Sequence, residues 1–354
     1  MTDQLPFKFP ERYSYEGQRL EGGQGYVYIC GDALLDRTVA IKVVSTPAHM
    51  KSLKQELSFL TTIRSAHIAE IYDLFEAKSG KHIGLVEQYV SGSHLHNLVG
   101  SCDLPTFLRT MYQLCAGVSD MHGLNKVHRD IKPGNIRFDE EKVLKILDFG
   151  ISQHVDGVAK TEHGKGTLPY IAPELFSLPA KYTSSVDVYA CGVIAHELAF
   201  GKLDSALKTV PPQSHASPSK FHKSALGIPS DVCQLFDAAL SPNSNDRSPI
   251  GDLKTCLERR LTQGLHRAAV TYKGQTTLVN NSKKSVLLQS GPCSLTIVYD
   301  GLRFTANAVA GNIDINNIPV LNGQELPPSC VITLNKQPGR EFITVDMSNP
   351  GILL

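Results

Sequence analysis

The stretch His128-Arg129-Asp130-Ile131-Lys132-Pro133-Gly134-Asn135 gathers four ionisable groups, an amide, a proline and a glycine in one short segment. Polar residues around Pro-Gly also make ordinary turns, so this segment gains meaning only from its company. A second cluster lies upstream. Gly22, Gly23 and Gly25 stand between two strand-like runs, and glycines let a backbone approach a phosphate and offer it N–H groups. Lys42 ends the alternating run "VAIK", so its ammonium could point at the same phosphate. Glu56, beside a helical apolar stripe, could reach Lys42 and fix it. Each residue also has a plain reading: hairpins carry glycines, strand lysines are solvated, and a helical glutamate faces water.

The elements that must position these groups can be read from periodicity. "QGYVYICGDALLDRTVAIKVV" holds two β-branched runs joined by a Gly-Asp turn region. Leu53, Leu57, Leu60 and Ile63 recur at helical spacing, and "HIGLVEQYV" reads as a further strand. Beyond about residue 104 the pattern turns helical, with Phe107, Leu108, Met111, Leu114, Cys115, Val118 and Met121 on one stripe. "SSVDVYACGVIAHELAF" is apolar almost throughout and predicts a buried helix. Residues 202–230, rich in Ser, Pro, Lys and His, predict a mostly solvated loop. A helix ends near "CLERRLTQG", with Gly264 as its stop. From about residue 270 helical stripes give way to short β runs broken by Asn, Gly and Pro. Asp300-Gly301 between alternating runs predicts a hairpin, and the whole suits a small antiparallel sandwich.

Composition sets the class. The 354 residues suggest two or three domains, and 42% apolar residues suffice for sizeable cores. Lys and Arg number 35 against 34 Asp and Glu, a balance that asks for neither nucleic acid nor an acidic membrane as partner. The polar, proline-containing start is unlike a signal peptide, and Asp187, His196 and Glu197 interrupt the longest apolar run. Eight scattered cysteines without a CxxC pair suit small core residues in a reducing compartment. A soluble, cytoplasmic protein is the expectation.

The opening segment is followed by Asp148-Phe149-Gly150 and by "GTLPYIAPE", with Thr167, Ala172, Pro173 and Glu174. At this point roughly residues 12–262 resemble the protein kinase family, whose motifs appear in the family's order: Gly-rich loop, VAIK, helix glutamate, HRDxKxxN, DFG and APE. Asp187 resembles the buried aspartate that braces the family's catalytic loop, and Arg247 the arginine that pairs with the APE glutamate. The resemblance implies an α+β, bilobal kinase fold, with a β-rich N-lobe at about 12–90 and a helical C-lobe at about 91–262. A linker at 263–269 and a β-sandwich domain at 270–354 would follow.

The same resemblance assigns roles for ATP-dependent transfer to protein Ser/Thr hydroxyls. Asp148 and Asn135 would hold Mg²⁺, with Mn²⁺ as the alternative, and Lys42 steadied by Glu56 would grip the α- and β-phosphates. Asp130 would accept the attacking hydroxyl's proton while Lys132 neutralises charge at the γ-phosphate. Gln88, Tyr89 and Val90 would meet the purine edge, with Leu20, Val27 and Ala40 as apolar walls beside Gly22, Gly23 and Gly25. Lys132 and Thr167 resemble the Ser/Thr branch, with tyrosine or dual specificity as the alternative. Arg129 would receive an activation-segment phosphate, with Thr161 the first candidate and Ser152 the second.

The chain departs from the family at Leu20, which stands where the first glycine is usual, and at Glu87, which occupies the gatekeeper position. A buried carboxylate is costly unless paired, so Glu87 is expected to contact a polar group or water at the back of the cleft. "INNIPVLNGQELPPSCVITLN" resembles the end of a forkhead-associated domain, although the Gly-Arg and Ser-x-x-His readers of such domains are missing upstream. The plainer reading is a generic sandwich that binds a regulator, a substrate or a second copy. Two rival functions stay open: a pseudokinase scaffold, and a small-molecule phosphotransferase of kinase-like fold.

Overall fold

A computed structural model describes residues 7–22, 25–45, 63–77, 82–148, 168–177, 182–335, 339–348 and 350. Gly23, Glu56 with its expected helix, Phe149, Gly150, Ser152, Thr161 and Thr167 lie outside the described residues. The chain divides into two compact units, residues 1–257 and 258–353.

The first unit begins with an antiparallel sheet of β1 (Tyr13–Gly22), β2 (Gly25–Asp32), β3 (Arg37–Val44), β4 (Ile71–Glu76) and β5 (Ile83–Gln88), in the order β1-β2-β3-β5-β4. The register pairs Leu20 with Val27, Val27 with Lys42, Ile29 with Ala40, and Ala40 with Glu87. Directly opposed residues share a face, and so do residues two apart on a strand. Leu20, Val27, Ile29, Ala40, Lys42 and Glu87 therefore lie on one side. Tyr28, Cys30, Val39, Ile41 and Val86 fall on the other, under Phe9 and Tyr13. Phe9 meets Tyr28 edge-on at 5.5 Å. Period-two alternation thus assigns one face to an aromatic core and leaves the other for the site.

Helix α1 (Leu104–Gly123) starts where the Asp103 carboxylate accepts the Thr106 N–H at 2.9 Å, with Pro105 in the first turn. Its buried face is the stripe read from the sequence, Phe107 to Met121. The short hairpin β6 (Ile136–Phe138) and β7 (Leu144–Ile146) packs on α1. Helix α2 (Ser185–Phe200) is buried from Val186 to Ala199 and stops at Gly201 in the left-handed conformation. Helices α3 (Ser230–Ala239) and α4 (Ile250–Leu261) follow. No helix among the described residues is long and apolar enough to cross a membrane.

Residues 202–230 differ from a plain solvated loop. Turns of 3₁₀ helix at Ser205–Lys208 and Phe221–Lys223 bury Ala206, Leu207 and Phe221. Phe221 packs against His196 at 5.7 Å and Phe236 at 5.4 Å. The Asp204 carboxylate gathers the segment by accepting from Ala206 N–H, Ser219 N–H and Ser219 Oγ. Isolated apolar residues in a polar run carry no period, so the sequence hides these anchors.

The second unit is a sandwich. One sheet has the order β10-β11-β12-β15, from β10 (Ser285–Ser290), β11 (Cys293–Tyr299), β12 (Phe304–Ala310) and β15 (Gln324–Glu325). The other runs β14-β13-β16-β17-β8-β9, from β8 (Ala268–Tyr272), β9 (Gln275–Val279), β13 (Ile313–Ile315), β14 (Ile318–Pro319), β16 (Ser329–Asn335) and β17 (Arg340–Met347). Inward residues of both sheets form one core that includes Leu295, Ile297, Phe304, Ile332 and Val345. Gly301 (φ 99°) turns the expected hairpin between β11 and β12, and the Asp300 carboxylate accepts from the N–H groups of Leu302 and Arg303. Residues 263–269, read as a linker, are instead held within this unit. Gly264 N–H donates to Gly301 C=O at 2.7 Å, and β8 begins at Ala268. The eight cysteines are free, with Cys30, Cys115, Cys191, Cys233, Cys293 and Cys330 buried.

Candidate active site

The site-facing side of the five-stranded sheet forms the roof of a cleft of about 720 Å³, open to solvent. Leu20, Val27, Ile29 and Ala40 give it an apolar roof, and Glu87, Gln88, Tyr89 and Val90 line one end. Lys42, Asn135, Leu147 and Asp148 lie within it as well. Gly22 and Gly25 pair across the end of the β1–β2 hairpin.

Lys42 is almost fully buried and forms an ion pair with Asp148, whose side chain keeps about half its exposure. Asp148 follows β7 with φ 60°, an uncommon conformation for a non-glycine residue that turns its carboxylate out of the strand path. The preceding residue is tied down, since Leu147 N–H donates to Asn135 C=O at 2.8 Å.

The loop from His128 to Asn135 is held from below by Asp187 of α2. Its Oδ2 accepts the His128 N–H at 2.8 Å and lies 2.9 Å from His122 Nε2, and its Oδ1 accepts the Arg129 N–H at 2.8 Å. These bonds hold Arg129 at φ 70°. Asp130 N–H donates to His128 Nδ1 at 3.3 Å, which puts the ring proton on Nε2, where it is donated to Leu147 C=O at 3.2 Å. The Asp130 carboxylate accepts at Oδ2 from Asn135 Nδ2 at 2.9 Å and pairs there with Lys132 Nζ at 2.8 Å. Its Oδ1 accepts no hydrogen bond from the described residues. With Nδ2 of Asn135 fixed on Asp130, the amide oxygen of Asn135 is turned away from that carboxylate.

Electrostatics single out Glu87. Burial pushes its carboxyl up to about 7; Lys42 opposes that rise and Asp148 adds to it. Further down, Arg247 is fully buried and clasps Glu174 with two bonds of 2.7 and 2.8 Å. It also donates to the carbonyls of Ser241 and Ser185, and its guanidinium lies over the Tyr189 ring at 4.9 Å. Arg247→Lys replaces the planar fork by a point charge. The expected result is a loss of about 2–3 kcal/mol of stability, read by denaturant melts; an unchanged midpoint would contradict the assigned role.

Lys42, Asp148, Asn135, Leu20, Val27, Ala40, Glu87, Gln88, Tyr89 and Val90 thus share one cleft, with Asp130 and Lys132 joined to it through Asn135. Arg129 stands apart from the cleft lining, its guanidinium over the Tyr182 ring at 5.2 Å. Sequence reasoning missed Ile29, Arg137, Leu147 and Gly134 as lining residues. Alternation from Val27 would have found Ile29. Arg137 reaches the end of the cleft because its Nη1 donates to Val90 C=O at 3.2 Å, a contact with no sequence signal. His122 as a partner of Asp187 was missed as well.

Comparison with known proteins agrees with this geometry. The family model for the protein kinase domain matches residues 16–253. CBL-interacting serine/threonine-protein kinase 18 of Arabidopsis thaliana is 32% identical over 243 residues, covering 64% of this chain and 45% of the relative. Serine/threonine-protein kinase PknA of Corynebacterium glutamicum is 29% identical over 248 residues, covering 65% and 52%. The chain spans about half the length of these curated relatives. A paired lysine and aspartate under a glycine-bearing hairpin, a catalytic-type loop braced by a buried aspartate, and a family match over most of the first unit lead to one conclusion: the chain belongs to the protein kinase family.

Proposed function

We propose that this chain is an ATP-dependent protein kinase that transfers the γ-phosphoryl group to Ser/Thr hydroxyls. The observation that carries this reading is the convergence of Lys42, Asn135 and Asp148 in one cleft, with Asp130 bonded to Asn135. Phosphoryl transfer depends on positioning and charge neutralisation, and these side chains supply both. The apolar roof of Val27 and Ala40 suits a purine, and Lys42 suits the α- and β-phosphates. The donor set fits Mg²⁺: a carboxylate on Asp148 and an amide oxygen on Asn135 are hard ligands, and Mg²⁺ needs few protein groups beside phosphates. Mn²⁺ would fit the same oxygens. Bound there, the cation would neutralise charge developing on the phosphates. Asp130, oriented by Asn135 and Lys132, would align the substrate hydroxyl and take its proton at Oδ1, which accepts no hydrogen bond among the described residues. Lys132 would then face the transferred group.

The Ser/Thr preference rests on Lys132 in the loop and on the similarity to the two serine/threonine-protein kinases above. Incubation with γ-labelled ATP, Mg²⁺ and a generic basic protein should label that protein on serine and threonine. Absence of transfer would favour a scaffold, and label on small hydroxylated molecules alone would favour a small-molecule phosphotransferase. Autophosphorylation at Thr161, which would meet Arg129, belongs to the same reading. Mass mapping of active protein should find phosphate there; a bare Thr161 in fully active protein would exclude it. A regulator, or a second copy of the chain, is the partner class that fits the second unit.

A further inference from the structure

Glu87 is a carboxylate where apolar neighbours such as Val27, Ile29 and Ala40 would lead one to expect another apolar wall. It stands opposite Ala40, diagonal to Lys42, and just before the lining segment 88–90. No hydrogen-bond donor sits on its carboxylate among the described residues. Consider a purine between the apolar walls with its phosphates toward Lys42 and its edge along residues 88–90. The ring atoms farthest from the ribose-bearing nitrogen are those at positions 1 and 6. The inner end of that edge, where Glu87 precedes Gln88, then meets position 6.

We propose, resting on the kinase reading above, that Glu87 is a specificity-determining residue that reads the group at purine position 6, selecting adenine when ionised and admitting guanine when protonated. An ionised carboxylate accepts a hydrogen bond from the 6-amino group of adenine and repels the 6-oxo group of guanine. A protonated carboxyl donates to that oxo group. Both forms are accessible near neutrality. Burial raises the Glu87 carboxyl to about 7, against the pull of Lys42 from β3 and with the push of Asp148 beyond β7. Among the described residues these are the charged groups that act on it, and the residue paired with it on β4 is Ile71. An apolar residue at this position would give no such coupling.

The test uses the full chain with MgATP and MgGTP in calorimetric titrations from about pH 8.5 to about pH 5.5. The ratio of the two affinities is the readout, because both nucleotides carry the same triphosphate and its protonation cancels. The ATP-over-GTP preference should fall about tenfold as pH drops, the value of one charge-assisted hydrogen bond. In Glu87→Gln, a near-isosteric change that cannot titrate, the ratio should stay flat. The triphosphate of purine riboside, which lacks the 6-amino group, should show no rise in affinity relative to GTP as pH increases beyond that lost by GTP itself. A wild-type ratio that does not move, or a Glu87→Gln ratio that moves in parallel with wild type, overturns the inference and leaves the kinase reading standing. Failure of the wild type to bind either nucleotide at any pH overturns both.

Discussion

Asp148→Asn should lower the rate of γ-phosphoryl transfer by about 10³-fold while leaving the fold intact. The substitution keeps the shape of the side chain and removes its charge. Asp148 is the carboxylate of the cleft that pairs with Lys42, so one change affects two functions. The cation loses its anionic ligand, and Lys42 loses the partner that holds it in place. Stability should change little, because the Asp148 side chain keeps about half its exposure. Single-turnover transfer at saturating nucleotide separates this from a binding defect, and raising Mg²⁺ should recover part of the loss. A rate within about tenfold of wild type would remove Asp148 from the chemistry.

Asp187→Ala should act through structure and chemistry together. The Asp187 carboxylate is 1% exposed and satisfies two backbone N–H groups and His122. Truncation strands those donors in the interior, at a residue, Arg129, that is already in the left-handed region. The expected loss is about 3–5 kcal/mol, which denaturant melts will show as a large drop in midpoint. Asp187→Asn tests positioning more cleanly. Its amide oxygen can accept one of the two N–H groups, while its NH₂ faces the other. Partial stability should return, kcat should stay low by about 10²-fold, and nucleotide affinity should change little, because the loop carrying Asp130 is misaligned while the roof of the cleft is not. A merely structural residue would not split kcat from nucleotide binding in this way.

Much of this architecture is legible in the sequence where a period repeats. The alternation in "VAIK" and in "QGYVYIC" places Val27, Ala40 and Lys42 on one face, as the register confirms. The seven-residue stripe on α1 and the apolar α2 are equally plain. Arg247 and Glu174, 73 residues apart, meet as the family resemblance implies. What escaped has no period. Phe221 and Ala206 anchor a polar stretch by single contacts. Residues 263–269 are polar enough to pass for a linker, yet a backbone bond from Gly264 to Gly301 fixes them, and such bonds leave no mark on side-chain type. Strands of two or three residues, such as β13 to β15, are too short for alternation to register. For Glu87, the sequence announces an unusual carboxylate, while its neighbours Lys42 and Asp148 emerge only once β3, β5 and β7 are assembled.

The central claim is that Lys42, Asp130, Asn135 and Asp148 surround one metal-bound nucleotide tail. A crystal structure of the chain with Mg²⁺ and a non-hydrolysable ATP analogue tests it directly. The expected result puts oxygens of Asp148 and Asn135 at about 2.1 Å from Mg²⁺. Lys42 should have left Asp148 for the phosphates, and the Asp130 carboxylate should face the γ-phosphate. A nucleotide seated outside the cleft, or a metal held without Asp148, would contradict the account.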